Sequence, residues 1–284
     1  MQVAGVESRV VDRGVSIEMM SALLGQLGPV RNEVVVVGGQ AVAWWTYYYA
    51  SQLVTAPGLV TSMDIDFCAD TATVKRCGEQ LNVVALLPGH DEVTLNSGRV
   101  NWQLNGQSIG IDFLSAPFGR TYEQINSRAV EIEIPTIKFG PISIRMMHPV
   151  DCVRTRVCNV SSDGGLGRDS EHSLRQLRAS IAFTRAFLVD QLDQSNAARG
   201  DIRDVLACNE ELLKFCYFNR HAKAVYLRHA IDPLDAITLD ARLPEKFISM
   251  RYPRFTAKLG QHRASYAAHR AGRSPENIKK VVVA

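Results

Sequence analysis

The residues best suited to chemistry are three aspartates and a pair of glycines. In Ser62-Met63-Asp64-Ile65-Asp66-Phe67, acidic and apolar side chains alternate with a period of two, the pattern of a β-strand with one acidic face. Asp64 and Asp66 then project from that face about 7 Å apart along the strand. Asp112, in Ile109-Gly110-Ile111-Asp112-Phe113-Leu114, sits in a second run of the same kind. Convergent carboxylates of this sort suit a hard divalent cation, Mg²⁺ or Mn²⁺, which neutralises phosphate oxygens and polarises an attacking oxygen. All three are expected to act as catalytic metal ligands, provided the two strands pair in register.

The glycines supply the other half of the pattern. Gly38-Gly39 follows the β-branched run Val34 to Val37 and precedes a segment free of Gly and Pro, from Gln40 to about Leu53. This predicts strand, tight turn and helix. A glycine turn lets backbone approach a phosphate closely, and the helix N-terminus favours negative charge. Gly38, Gly39 and Gln40 are therefore candidate contacts for a nucleotide phosphate.

The elements needed to position these groups can be read around them. Apolar residues from Val15 to Leu27 recur at helical spacing and stop at Gly28-Pro29. After a Pro57-Gly58 loop comes the acidic strand, and then a helix over roughly Thr71 to Leu81. Val100, Trp102 and Leu104 alternate up to Asn105-Gly106, the strongest short hairpin signal, and the chain returns over Ser108 to Leu114. Asp112 thus belongs to a strand of the same meander. Further strands are predicted at Ala129 to Ile134 and Ile142 to Met146, after which the periodicity turns helical. The expected organisation is an α/β domain over 1–147 and a helical domain over 148–284. The fold class is α+β (α/β), a mixed sheet flanked by helices and followed by a helical domain.

Taken together, Gly38-Gly39-Gln40, a helix, Asp64-Ile65-Asp66 and the later Asp112 resemble the nucleotidyltransferase superfamily, and within it the AbiEii-type toxins are most similar. The resemblance covers roughly residues 15 to 190. It implies a basic residue in a helix soon after a proline, matched by Arg156 in His148-Pro149-Val150-Asp151-Cys152-Val153-Arg154-Thr155-Arg156, with Arg154 as a neighbouring phosphate contact. A later basic-Asp step is matched by Arg168-Asp169, which makes Asp169 a further site residue. The pattern departs from the family in three places. Gly39 replaces the more usual Ser, the segment between Gly39 and Asp64 is longer than in minimal members, and Arg156 replaces Lys, a planar fork in place of a compact ammonium.

The resemblance implies transfer of a nucleoside monophosphate from an NTP to a macromolecule, either RNA such as a tRNA end or a protein hydroxyl. It also implies a bacterial toxin-antitoxin or phage-defence setting, with a separate antitoxin protein as partner. Two other classes compete with this one. The departures fit a noncatalytic module that keeps the fold for binding or scaffolding, and the basic helical half fits nucleic-acid binding, which would show steep salt dependence indifferent to Asp64 or Asp66.

Composition limits the remaining choices. Among 284 residues, 46% are hydrophobic and the net charge is only +3, so a core is available and no global polyanion-binding field exists. The run from Val34 to Val60 is broken by Gly38, Gly39, Gln40, Gln52 and Pro57, so no membrane association is expected. Glu7, Arg9, Asp12, Arg13 and Glu18 interrupt the first residues, unlike a signal peptide. Cys68, Cys77, Cys152, Cys158, Cys208 and Cys216 form no C-x-x-C pair and are expected to be reduced, in a cytoplasmic protein. Scattered histidines give no zinc spacing. Trp44, Trp45, Tyr47, Tyr48 and Tyr49 are expected to be core side chains rather than a base-stacking platform.

Overall fold

The structure, a computed structural model, describes residues 14–53, 60, 62, 64–89, 91–92, 94–117, 120–134, 141–161, 165–198 and 202–271. The Pro57-Gly58 loop, Met63 and the basic tail beyond Ala271 lie outside the described residues. The chain divides into two compact units, one of residues 1–48 and 56–148, the other of 49–55 and 149–284. Relative to the expected division at 147/148, the short segment 49–55 joins the second unit.

The first unit is built on a mixed seven-stranded sheet. Its strands are β1 (Val35–Val36), β2 (Ile65–Cys68), β3 (Ala85–Leu86), β4 (Asn96–Leu104), β5 (Gln107–Leu114), β6 (Val130–Ile134) and β7 (Ile142–Met146), in the order β3-β4-β5-β2-β1-β7-β6. β2 runs parallel to β5, and β7 parallel to β1; the other neighbours are antiparallel. Period-two alternation buries one face: Ile65, Phe67, Val100, Trp102, Ile111 and Phe113 are at most 1% exposed. The Phe67 and Phe113 rings meet at 5.7 Å between centroids. Asp66, Arg99 and Asp112 take the alternate positions, so the sheet's polar functions share its other face.

Local chemistry sets the helices around this sheet. α1 (Ile17–Leu27) is capped by Ser16, whose hydroxyl accepts from the Met19 amide, and its end is turned at Gly28. α2 (Gly38–Tyr48) starts two residues earlier than the first Gly-free position, because the helix ladder already begins with Ala41 N–H donating to the Val37 carbonyl. It ends at Tyr48, short of Leu53, and a 3₁₀ turn follows over Ala50–Gln52. Trp44 and Trp45 are buried, the latter donating to the Met147 carbonyl at 2.9 Å, and Tyr49 is buried too. Tyr47 and Tyr48, by contrast, are more than 40% exposed, which corrects their assignment to the core. α3 (Thr71–Leu81) is capped by Asp70 and closed by Asn82 in the left-handed region. The hairpin between β4 and β5 turns through Asn105 (φ 51°) and Gly106 (φ 78°), the conformations a two-residue type I′ turn demands. One helix went unanticipated, α4 (Tyr122–Arg128), although Thr121 and Gln124 form the reciprocal capping box that announces it.

The second unit has helices and no strand among its described residues: α5 (Pro149–Val160), α6 (Glu171–Ala198), α7 (Ile202–Phe218), α8 (Arg220–His229) and α9 (Tyr252–Ala271), the last preceded by a π-helical turn over Lys246–Arg251. Buried polar groups stitch it together. Thr184 donates to the Pro149 carbonyl, and Asn209 exchanges two hydrogen bonds with the Thr238 backbone. Arg263 makes a two-pronged pair with Asp232 at 2.6 and 2.7 Å while lying 3.7 Å over the Tyr226 ring. No described helix is long and apolar enough to cross a membrane.

Candidate active site

Three neighbouring strands bring three charged side chains to one level of the sheet. Asp66 of β2 stands beside Asp112 of β5, and Asp112 stands beside Arg99 of β4. Residues abreast in adjacent strands point the same way, so the carboxylates are near neighbours with a guanidinium at the end of the row. Arg99 Nη1 lies 3.6 Å from Asp112 Oδ1, with side chains 52% and 30% exposed. At that distance and exposure the pair holds orientation more than it contributes stability.

Two glycines make the arrangement possible. Gly38 adopts φ +64°, and a Cβ there would overlap the Asp66 carboxylate, with Cγ at 2.8 Å. The turn is tied to β2 through the Val37 N–H, which donates to the Asp66 carbonyl at 3.0 Å. The start of α2 therefore sits against Asp66, where the positive end of the helix favours a carboxylate or a phosphate. At Gly110 a Cβ would meet the Arg99 guanidinium, whose Cζ lies at 3.0 Å, a contact that the flexible arginine can relieve by shifting. The room left at Gly38 and Gly110 is taken by the Asp66 carboxylate and the Arg99 guanidinium themselves, which lie against bare backbone.

The other expected site residues have different surroundings. Asp64 precedes the first residue of β2 and is exposed. Among the described residues no three His, Cys, Asp or Glu side chains are gathered as a metal-holding group. Gly39 is buried in the first turn of α2. Gln40 is buried as well and donates from Nε2 to the Ser62 carbonyl at 3.3 Å, holding the segment that leads into β2.

In the second unit, Arg154 on α5 pairs with Glu211 at 2.8 Å and lies 5.1 Å over the Phe215 ring. Arg156 donates to Gln176 Oε1 at 2.9 Å. Asp169 is bound by Arg228 at 2.6 Å and lies before α6 rather than in it. Each of these three has a partner within its own unit.

Arg99 and Gly110 were missed by the motif reading, although a signal for them exists. A two-residue Asn105-Gly106 turn places Leu104 opposite Gln107, and counting back along the hairpin brings Arg99 opposite Asp112. The cysteines offer no competing chemistry. All six are free, five of them buried. Burial pushes the Cys68 and Cys77 thiols up to about 12 and Cys158 up to about 11, so they stay protonated and unreactive at neutral pH.

Compared with known proteins, the chain matches no family model and no curated sequence.

Proposed function

We propose that the first unit is a nucleotidyltransferase core that moves a nucleoside monophosphate from an NTP to a macromolecular acceptor, RNA such as a tRNA end or a protein. The observation that supports this reading best is the in-register pairing of Asp66 with Asp112 beside a glycine, Gly38, that the Asp66 carboxylate leaves no room to replace. Two adjacent carboxylates are the donor chemistry that Mg²⁺ or Mn²⁺ takes, the remaining positions going to substrate phosphates and water. Asp66 and Asp112 would hold the ion, with Asp64 completing the set from the start of the strand. When bound, the ion neutralises phosphate charge and polarises the acceptor oxygen.

The chain's own groups supply the rest. The start of α2 at Gly38-Gly39 seats phosphate oxygens on backbone N–H groups. Arg99, at the outer end of the row, offers a second cationic contact for the triphosphate. In the transfer, the acceptor oxygen bonds to the α-phosphorus as pyrophosphate leaves, and the acceptor's proton passes to a carboxylate of the row or to water. The resemblance to AbiEii-type toxins supports a toxin-antitoxin or phage-defence setting for this activity, in which an antitoxin protein would restrain it.

One observation favours a second reading, a noncatalytic scaffold. Asp112 already has Arg99, and Asp66 already lies against the start of α2, so both carboxylates have structural employment. Incubating the protein with each labelled NTP, Mg²⁺ or Mn²⁺, and total cellular RNA or protein separates the two. Label incorporated by the parent and lost in Asp66→Asn supports transfer; no incorporation from any NTP leaves the scaffold.

A further inference from the structure

The second unit carries a groove with no part in the reaction above. It lies between α7, along most of its length, and the π-helical turn with the first turns of α9, and has a volume of about 1020 Å³. Its floor is apolar, formed by Leu206, Tyr217, Phe247 and Phe255. Tyr217 is fixed there by ring contacts with Phe218 at 4.8 Å and Phe255 at 5.0 Å, and by a 2.8 Å hydrogen bond between its hydroxyl and His262. At the lips stand two of the most exposed apolar side chains of the unit, Phe218 (72%) and Met250 (63%). Large apolar groups left in water around a concave surface mark a binding site more often than a simple surface.

The charge around the groove has one sign. Arg251 is neutralised by Glu210, the only carboxylate in the lining. Lys246, Arg254 and Lys258 have no ion-pair partner among the described residues. Arg251, the last residue of the π-helical turn, and Arg254 and Lys258 in the first turns of α9 recur at helical spacing, so the cations form a rail beside the apolar floor.

We propose that this groove docks an amphipathic helix of a partner protein, its apolar stripe in the floor and its acidic flank along Lys246, Arg254 and Lys258. The apolar floor and the parallel rail of cations match a helix presenting anchors at i, i+3/i+4 and i+7 with carboxylates alongside. A single-stranded polynucleotide fits less well, because the Tyr217, Phe218 and Phe255 rings already pack on one another, and Leu206, Pro244 and Met250 line much of the rest with aliphatic groups. The chain's own residues 272–284 are a poor occupant, since Arg273, Lys279 and Lys280 outnumber Glu276 and share the groove's sign. The docking does not depend on nucleotide transfer, and Asp66→Asn should leave it intact.

Selection of a displayed random 16-residue peptide library on the full-length protein tests this, with affinities of the selected peptides read by fluorescence anisotropy. Enriched peptides should carry apolar residues at helical spacing with Asp or Glu beside them. Their binding should weaken about tenfold or more in Phe218→Asp, and again in the double variant Arg254→Glu, Lys258→Glu, with far-ultraviolet circular dichroism confirming the fold. Exchanging the peptide's acids for lysines should restore binding to the double variant, which a merely unfolded surface would not do. Failure to enrich any peptide, enrichment of basic or unpatterned sequences, or affinity unmoved by Phe218→Asp overturns the proposal. So does displacement of the peptide by a 12-nucleotide single-stranded RNA that binds more tightly, which would reassign the groove to nucleic acid.

Discussion

The charged residues of the sheet and those of the helical unit have the same chemistry and opposite circumstances. Asp66, Asp112 and Arg99 stand in a row on one sheet face, partly exposed, with a 3.6 Å contact the closest ion pair among them. Arg154, Arg156 and Asp169 are bound at 2.6 to 2.9 Å by Glu211, Gln176 and Arg228. The contrast lies in pairing distance and not in exposure, since Arg228 and Asp169 are as exposed as Arg99 and Asp112; on the proposed function, the loosely paired row is the one kept for a ligand. On that proposal function lies on the strands, while the closely paired charges of the helices serve structure.

The strongest break in that comparison comes from Asp66→Asn. If the row is catalytic, nucleotide incorporation should fall by about 10³-fold, along with any growth inhibition on expression in bacteria, while thermal unfolding shows equal or higher stability because a like-charge neighbour of Asp112 has been removed. Function lost with stability kept is the signature of a site. Activity unchanged in this variant would put the sheet carboxylates on the structural side of the comparison.

Gly38→Ala acts on the scaffold of the same site. The added Cβ meets the Asp66 carboxylate at a backbone angle that L side chains avoid, and denaturant titration should show a loss of about 3 kcal/mol. A loss below about 1 kcal/mol would mean that the turn yields, and that the close approach is not what makes glycine necessary there.

On the helical side, Arg154→Ala removes a pair with Glu211 whose side chains are each about one quarter exposed, together with the contact over Phe215. About 1.5 kcal/mol should be lost in denaturant titration. Arg156→Ala removes, among its contacts, the hydrogen bond to the buried Gln176 and should cost about 1 kcal/mol. Nucleotide affinity, measured by titration calorimetry, decides its second role: unchanged affinity keeps Arg156 among the structural charges, and a tenfold fall moves it into the site.

The smallest effect concerns a carboxylate whose structural task is plain. Asp70 caps α3 by accepting from the Thr73 amide at 2.7 Å, and that hydrogen bond holds its pKa below the usual carboxylate range. A depressed folded-state pKa contributes stability that is complete above the unfolded value, about 3.9, and is lost as pH falls through the folded one. Asp70→Ala should cost about 1 kcal/mol at pH 7 and progressively less below pH 4. A difference that persists undiminished in acid would show that the cap does not act through its charge.

Much of the architecture was legible because it rests on local rules. The alternation in Asp64-Ile65-Asp66-Phe67 and Ile111-Asp112-Phe113 marked strands with one buried face, Asn105-Gly106 marked the hairpin, and Gly28-Pro29 stopped α1 where its apolar spacing ended. The misses were also local in origin. α4 escaped although its Thr121-Gln124 capping box lay in plain view, because the helix is short and its periodicity weak. Tyr47 and Tyr48 were assigned to the core with their neighbours, since an aromatic run does not reveal which faces of a helix meet the sheet.

What the sequence determined by itself was the inventory and the hairpin register: which side chains alternate, where glycine must turn the chain, and, by counting from Asn105-Gly106, that Arg99 faces Asp112. Only the tertiary structure decided that β2 lies beside β5, and parallel to it, with Asp66 abreast of Asp112. The physical reason is that a parallel pair is joined through intervening elements rather than a tight turn, so no local signal transmits its register. The same holds for Arg154, Arg156 and Asp169. A helical arginine reads alike whether it meets a ligand or a glutamate 57 residues further along the chain, and the distinction arises only when packing brings the partner in.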